Sequence, residues 1–349
     1  MTTGGDTGER VGARRAASQL LGRPLGAVGP EAVVRRLLAV QAQDLRSAGL
    51  AIHARGAGPD DATVHRALAQ ERSVVRLWAL RGTLHLVAAR DAGWVLGLLA
   101  PALVRAAPGR LRQLGVGDDD GARAVAVIER ALAEHGPLRR GALAQHLAAA
   151  SIETAGQATI HLIRLAALHG VCLAGPDETF VLWRDWLGEP PRPADRDVAL
   201  AELARRHHAA HAPAGPEDLA TWSGLGLREC RRAWTLAPGS RAQVSTVGSD
   251  TVRLLPAWDE LLLGWRDRDP VLSPEHATRV QRGGGILRPT VVHGGRIIAT
   301  WRPERNPGRI TVSVEPFTAD LGPAVTASLT AAVQEAGAFE GRKPTLTIG

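Results

Sequence analysis

Two glutamines one residue apart, Gln41 and Gln43, follow an apolar helical run in the stretch LLAVQAQDLRSAG, residues 37–49. Two converging amides offer two carbonyl acceptors and two pairs of N–H donors. Because amides do not titrate near neutral pH, such a pair can orient a water and donate to a substrate but cannot act as a strong general base. That chemistry suits a reaction whose leaving group is already activated. The alternative is that Gln41 satisfies backbone groups at a helix end while Gln43 faces water.

The two amides can serve one site only if the helix ends before them. Side chains two residues apart on a helix point about 200° apart. Pro30 can open a helix whose apolar positions recur at steps of three and four, and the polar stretch that begins at Asp44 allows this helix to end near Val40. Asp44 itself is either an electrostatic helper for a cationic sugar and its attacking water or a helix-terminal surface acid.

The charge of the chain favours a polyanionic partner. With 349 residues the chain is long enough for two or three domains. Its net charge of +7 and its pI near 10.9 favour attraction to polyanions, of which nucleic acid is the commonest. Cys172 and Cys230 form no CxxC motif, which excludes a disulfide framework and a cysteine-built zinc site and is typical of a reduced cytoplasm. The absence of a long apolar run or a secretion signal predicts a cytoplasmic protein without a membrane span.

Several kinds of catalytic site are missing from the sequence. No GxxxxGK[ST] phosphate loop and no GxSxG nucleophile motif is present. His207 and His211 are four apart in RRHHAAH, but no glutamate lies between them, so we predict a solvated helix face rather than a zinc site. Neither a metal nor another cofactor is predicted.

The middle of the chain predicts alternating helices and short strands. VVRLWALRGTLHLVAA (74–89) predicts two strands about an RGT turn, ahead of a helix that starts near Asp91. Two helices follow, over 135–148 and 157–170, and then a strand, a turn and a strand over 171–183. This order is typical of a winged helix, whose second helix commonly enters the DNA major groove.

The pattern returns after the proline-rich connector 189–197. Three helical stretches over 200–237 precede a second predicted wing, AQVSTVGSDTVRLLP (242–256). From Trp258 the chain is rich in β-formers, and a Gly294-Gly295 turn predicts a hairpin within 286–302. A further strand and a helix near 321–336 complete what we interpret as a small barrel or a curled sheet.

The chain resembles the AlkZ-like family of winged-helix DNA glycosylases from antibiotic-producing actinobacteria over roughly residues 10–340. Five stretches in the family's order carry the resemblance: AVQAQD (39–44), LRGTLHLV (80–87), LATWSGL (219–225), LLPAWDELLLGWRDR (254–268) and RPTVVHGGRIIATWR (288–302). The resemblance implies an α+β fold of three tandem winged-helix units followed by a small C-terminal β-barrel, with a C-shaped DNA-binding surface. The expected segments are 10–115, 120–188, 195–256 and 257–349.

The family's signature is a Gln–aliphatic–Gln motif that is required for base excision, and Gln41-Ala42-Gln43 matches it. A sister branch carries aspartate at the second glutamine. The resemblance therefore implies that Gln41 and Gln43 are catalytic. A guanine alkylated at N7 carries positive charge, which weakens its bond to deoxyribose, so the enzyme need only position water and stabilise an oxocarbenium-like sugar.

The substrate implied by the resemblance is double-stranded DNA that carries alkylated purines, with bulky natural-product adducts at N7 of guanine as the expected lesion. The expected roles are DNA repair and self-resistance to a genotoxic antibiotic, carried out by a monomer. Strand-cutting glycosylases usually form a Schiff base through lysine or a terminal amine. Since the single lysine, Lys343, lies in a predicted C-terminal tail, we expect a monofunctional enzyme.

Further residues are predicted to face DNA, each with the alternative of being a surface arginine or a hydrogen-bonded turn histidine. These candidates are Arg46, Arg81, His85, Arg288, Arg296 and Arg302. Their phosphate contacts should make binding strongly salt-dependent.

Two other classes of function remain open from the sequence. A winged-helix regulator without catalysis would prefer one operator sequence, whereas a glycosylase would respond to the lesion. A protein that sequesters the free genotoxin would bind the drug without DNA.

Overall fold

The computed structural model describes residues 8–24, 26, 28–58, 60–189, 195–238 and 245–349. The chain packs as two units, residues 1–64 with 200–349, and residues 65–199. Both contain helices and strands, so the predicted α+β class is confirmed. The second unit starts inside the first predicted segment and contains the whole of the second, 120–188. The predicted domain boundaries stay a prediction.

The helices are α1 Gly8–Ser18, α2 Pro30–Leu37, α3 Leu45–His53, α4 Asp61–Ala69, α5 Ala89–Gln113, α6 Asp120–His135, α7 Arg140–Ala149, α8 Ala158–Leu168, α9 Trp183–Leu187, α10 Arg196–His211, α11 Pro216–Ser223, α12 Leu227–Leu236, α13 Glu260–Leu263, α14 Ala277–Val280 and α15 Pro323–Phe339. The strands are β1 Val40–Gln41, β2 Val74–Trp78, β3 Leu84–Ala88, β4 Leu138–Arg139, β5 Cys172–Ala174, β6 Thr179–Leu182, β7 Val252–Leu255, β8 Thr290–His293, β9 Arg296–Asn306, β10 Arg309–Pro316 and β11 Lys343–Ile348.

Within residues 65–199 the strands lie in the order β3-β2-β5-β6-β4, and every pairing is antiparallel. The strands β2 and β3 pair from Val74↔Ala88 to Trp78↔Leu84, which confirms the hairpin predicted over 74–89. Helices α7 and α8 are followed by the β5–β6 hairpin, in the order predicted for residues 135–183. Local signals suffice here because the wing strands pair with each other.

Helix α5 is long and apolar enough, by length and composition alone, to cross a membrane. Core helices of soluble proteins pass the same test. The side chains of Val95, Leu96, Leu98 and Leu99 are buried. One such helix is therefore weak support for a membrane span.

The larger unit carries a five-stranded sheet in the order β11-β10-β9-β8-β7. All neighbours pair antiparallel except β10 and β11, which are parallel from Arg309↔Lys343 onward. In the part of the chain that the structure describes, β7 and β11 end this order without pairing to each other, so the expected closed barrel is not found. Lys343 begins a strand rather than lying in a tail, because its backbone joins β10.

The second predicted wing is not formed as expected. Residues 242–244 of its first strand, like residues 190–194 of the proline-rich connector, lie outside the described residues. Residues 245–248 form no strand, and β7 pairs with β8 from Val252↔His293 to Leu255↔Thr290. Strand β7 therefore pairs with β8, which is distant in sequence, rather than with the neighbouring strand that the sequence predicted.

The β8–β9 hairpin confirms the predicted Gly294-Gly295 turn, since His293 pairs with Arg296. Both glycines have positive φ, 55° and 91°. A Cβ at Gly295 would come within 2.5 Å of Ala13 in α1, so only glycine allows this approach. The end of this hairpin is packed against a helix.

The predicted solvated face of His207 and His211 is wrong. Both side chains are fully buried in α10, and their rings stack with centroids 4.4 Å apart. Burial lowers the pKa of His207 to about 3 and that of His211 well below its usual value. Because both imidazoles are neutral, they can pack as flat rings beside Trp222 and Trp265 in the apolar interior, although the stretch RRHHAAH is polar in composition.

Candidate active site

The helix before the glutamine pair ends early enough for the two amides to converge. Helix α2 starts with Pro30 and ends at Leu37, and Leu38 has a φ of 70°. This left-handed conformation is strained for a leucine and turns the chain sharply into β1. Strand β1 covers Val40 and Gln41, Ala42 is buried, and Gln43 lies in the bend that follows.

The two amides are in direct contact. The Gln41 side-chain N–H (Nε2) donates to Oε1 of Gln43 over 3.3 Å. Gln41 is half-buried and Gln43 is exposed, so the pair lies at the surface of its unit. The arrangement can orient a water and donate hydrogen bonds, as expected of two amides without a titrating group.

A buried carboxylate lies behind the pair. Glu260, the first residue of α13, accepts the backbone N–H of Gln41 at Oε1 over 3.1 Å. Its other oxygen, Oε2, accepts the indole N–H of Trp222 over 2.9 Å. The backbone carbonyl of Glu260 accepts a hydrogen bond from the side chain of Gln19. The main chain of the candidate site is thus tied to residues far away in the sequence.

The neighbouring Asp259 anchors the same turn. Its carboxylate forms a two-pronged ion pair with Arg55, over 2.8 and 2.7 Å, and caps α13 through the N–H of Leu261. Arg55 also donates to Gln19. Both members of the ion pair are buried, and a two-pronged geometry is the one that best offsets the desolvation of such charges.

Asp44 is the N-cap of α3. Its carboxylate accepts the backbone N–H groups of Arg46 and Ser47 and the hydroxyl of Ser47, the last over 2.6 Å. Burial raises the pKa of Asp44, but the hydrogen bonds from Ser47 and Arg46 outweigh it and hold the pKa below its usual value. The local geometry matches the helix-terminal alternative, and Arg46 is exposed beside it.

Arg305 connects the C-terminal sheet electrostatically with Asp44. Its guanidinium binds Glu340 over 2.8 and 2.7 Å. This hydrogen bonding to Glu340 and, to a smaller extent, the charge of Asp44 raise the pKa of Arg305. The β9 strand therefore brings a cation within electrostatic reach of the segment that carries the glutamines.

Two of the three predicted arginines of this sheet share a partner. Arg288 lies 3.1 Å from Glu315 and its side chain is only 17% exposed, while Arg302 lies 3.9 Å from the same carboxylate and is 71% exposed. Arg296 is half-buried at the start of β9, beside the packed Gly295 turn. Arg302 is thus the best exposed of the three.

Arg81 and His85 belong to the unit of residues 65–199. Arg81 has a φ of 53° in the turn between β2 and β3. His85 is completely buried, with Nδ1 2.9 Å from the carbonyl of Thr83. Burial, with a smaller effect of Arg81, lowers the pKa of His85 to about 3. The structure therefore matches the hydrogen-bonded turn alternative for His85 rather than a DNA-facing side chain.

No group of three or more histidine, cysteine, aspartate or glutamate side chains within the described ranges could hold a metal ion.

Comparison with known proteins assigns the chain to a family. The sequence model of the family described as DNA glycosylase AlkZ-like matches residues 34–339. The chain belongs to the AlkZ-like DNA glycosylase family. It is accordingly an enzyme of the DNA glycosylase class.

A curated relative and a solved structure show how far the likeness extends. An interstrand DNA cross-link repair glycosylase of Streptomyces sahachiroi is 29% identical over 307 residues, 77% of this chain and 81% of that protein. The solved structure of the Streptomyces sahachiroi DNA glycosylase AlkZ matches with a TM-score of 0.76 at 24% identity. It covers 99% of this chain and 100% of that one, which shows a common fold.

The sequence patterns alone assigned no role to Arg55, Trp222, Asp259, Glu260 or Arg305. The stretch WDELLLGW contains a signal that could have found two of them, because an adjacent Asp-Glu pair inside an apolar run must find buried partners. Which donors those partners would be depends on the tertiary structure.

Proposed function

We propose that this AlkZ-like protein is a monofunctional DNA glycosylase that hydrolyses the N-glycosidic bond of alkylated purines, with guanine alkylated at N7 as the expected lesion. The observation that carries the proposal is the contact of the Gln41 side chain with the Gln43 side chain at the surface of their unit. Gln41 and Gln43 would hold the attacking water and contact the sugar–phosphate. Since the alkylated base leaves as a neutral group, positioning without a strong base suffices.

The adducts to test first are bulky ones. The Streptomyces sahachiroi relative is named for interstrand cross-link repair, which supports lesions larger than a methyl group as substrates. An intercalated polycyclic adduct cannot rotate through the base stack, so we expect action at an open surface rather than in a deep base-flipping pocket. Self-resistance to a genotoxic natural product is the proposed role, and a cytoplasmic monomer is the proposed form.

The C-terminal sheet would supply phosphate contacts. The β8–β9 turn is packed against α1, whereas the residues about the β9–β10 turn, from Arg302 to Arg309, are largely exposed. Arg305 of β9 also lies within electrostatic reach of Asp44. These facts favour β9–β10 as the hairpin that meets DNA, with Arg302 of β9 and Arg46 beside Asp44 as proposed phosphate contacts.

Tandem winged-helix units with a C-shaped DNA surface remain part of the proposal. The element order of α7, α8, β5 and β6 supports one such unit. Arg81 is proposed to face DNA from the other unit of the chain. Since His85 is buried and neutral, we propose for it a supporting role in the turn that presents Arg81.

The decisive experiment is an excision assay on duplexes that carry one N7-methylguanine or one bulky intercalating N7 adduct, followed by alkaline cleavage of abasic sites. Wild type should release the adduct, and the Gln41→Ala/Gln43→Ala variant should bind the duplex without release. Gln334→Ala, at an exposed position of α15, is the matched control and should behave as wild type.

The assay also separates the alternatives. Binding to one preferred operator without release of any adduct would support the regulator, and affinity for the free drug without DNA would support sequestration. Borohydride trapping tests the monofunctional assignment, because Lys343 is exposed at the start of β11. A trapped covalent complex that disappears in Lys343→Arg would contradict it.

A further inference from the structure

Glu260 is a buried carboxylate whose two oxygens both point at donors of the candidate site and its support. The residue is 1% exposed. One oxygen accepts the backbone N–H of Gln41, and the other accepts the indole N–H of Trp222. A carboxylate removed from water is costly, so its retention here calls for a purpose beyond filling space.

We propose that Glu260 is a positioning residue for base excision. Its carboxylate fixes the main chain at Gln41, so that the amides of Gln41 and Gln43 converge on one reacting bond. The inference rests on the proposed function, because it assigns Glu260 an effect on the rate of that reaction. Glu260 acts through the backbone that carries these amides, because its carboxylate accepts the main-chain N–H of Gln41.

The geometry explains why a carboxylate is needed at this position. Two N–H donors, from Gln41 and from Trp222, meet the same side chain from different residues. A carboxylate has an acceptor oxygen for each, whereas a side-chain amide has one oxygen and one NH2 group. A glutamine of the same shape would therefore lose one of the two contacts and, without the negative charge, weaken the other.

The position of Glu260 is itself fixed from behind. Its backbone carbonyl is bound by Gln19, and the preceding Asp259 is held by Arg55 through two hydrogen bonds. Trp258, just before them, has a φ of 54°, which marks a strained turn held in place by these contacts. A rigid support transmits its position to Gln41 and, through the hydrogen bond between the two amides, to Gln43 as well.

The test compares Glu260→Gln with Trp222→Phe in single-turnover excision of the adduct that wild type releases best. We expect Glu260→Gln to lower the rate by about tenfold to a hundredfold, as for small misplacements of a catalytic group. Its Kd for the adduct duplex should stay that of wild type. Trp222→Phe removes the other donor to Glu260 and some core volume but keeps the Gln41 contact, so it should melt at a lower Tm yet retain the rate.

A second variant is used if Glu260→Gln does not fold. If Glu260→Gln does not give a cooperative melt, Glu260→Asp keeps the charge but is one methylene too short to reach both donors, and the same loss of rate is expected. A wild-type rate in the folded variant would overturn the proposal. So would equal losses of rate in the Glu260 variant and in Trp222→Phe, because these would indicate a purely structural role.

A spectroscopic readout makes the contact testable without activity. The chain has ten glutamines, so labelling with 15N-glutamine gives few backbone amide signals, and Gln41→Ala identifies that of Gln41. The amide proton of Gln41 should move upfield in Glu260→Gln and stay in place in Trp222→Phe. An unmoved signal in Glu260→Gln would overturn the proposal even if activity fell. A wild type that releases no adduct would overturn the proposed function, and the catalytic role of Glu260 with it, whatever this signal does.

Discussion

The carboxylates behind the glutamine pair and the one on the C-terminal sheet have opposite surroundings. Asp259 and Glu260 are 1% exposed, and Asp259 meets Arg55 in a closed two-pronged ion pair. Glu315 is 38% exposed and is shared by Arg288 and Arg302, the latter at 3.9 Å. In both regions carboxylates meet arginines, but only one region excludes water.

This difference in burial distinguishes the residues that support the glutamine pair from the residues that would attract DNA. A buried carboxylate fixes geometry, because its partners have no competing water. Exposed arginines are screened by salt, contribute little to stability and remain available to phosphates. We therefore expect substitutions behind Gln41 to change stability and rate, and substitutions on the sheet to change DNA affinity.

The largest expected effect is the loss of the buried ion pair. Asp259→Asn leaves the buried Arg55 guanidinium without its charged partner and should lower the free energy of unfolding by about 3–5 kcal/mol. The matched change on the sheet, Glu315→Gln, should cost less than about 1 kcal/mol. Urea unfolding measures both, and equal losses would show that burial does not separate the two regions.

Buried histidines extend the contrast to groups that titrate. The folded pKa of His207 is lowered to about 3 from its usual 6.5, so protonation of the unfolded chain below pH 6.5 favours unfolding, and stability is lost as the pH falls through that value. His207→Phe keeps a flat ring and should reduce the loss of stability between pH 7 and 5.5 by roughly 1 kcal/mol. Denaturation at both pH values is the measurement, with His135→Phe at an exposed position as control. If His207→Phe lost as much stability between the two pH values as wild type does, the assignment of His207 as a buried, neutral side chain would be contradicted.

Asp44 lies between the two extremes and sharpens the comparison. Asp44→Ala removes the cap of α3 and should cost about 1 kcal/mol. Because the folded pKa of Asp44 is lowered, its contribution is present at neutral pH and lost as the pH falls through that folded pKa. The difference in stability between variant and wild type should therefore shrink as the solution is acidified below the usual pKa of an aspartate. Asp44→Asn keeps a cap acceptor without the charge. A loss of excision in that stable variant would revive its role as electrostatic helper.

The smallest effect is expected on the sheet. Arg302→Gln should weaken DNA binding and reduce the slope of log K against log salt by about 0.9, the value for one phosphate contact. Arg288→Gln should change the slope less, since Arg288 is only 17% exposed and bound to Glu315. Titrations of duplex DNA at several salt concentrations would show this, and a larger effect at Arg288 would reverse the order of the two arginines.

Elements whose partners are near in sequence were predicted well. The hairpins β2–β3, β5–β6 and β8–β9 and the helices α7, α8 and α15 follow from turn residues and periodicity. The wing predicted over 242–256 is not formed, because β7 pairs with β8, some forty residues further along the chain. The prediction that His207 and His211 face solvent was wrong for the same reason. The aromatic side chains that bury them come from α11 and from the loop after α13, which are distant in sequence.

The sequence by itself determined the family, through five stretches in the family's order. It also determined the Gln41-Ala42-Gln43 motif and the end of the helix before it, because these depend on adjacent residues. Only the tertiary structure decided that a carboxylate 219 positions away accepts the N–H of Gln41. It also decided which charges are buried and which remain exposed. Burial depends on surfaces brought together from distant parts of the chain, and residue type alone does not record which surfaces meet.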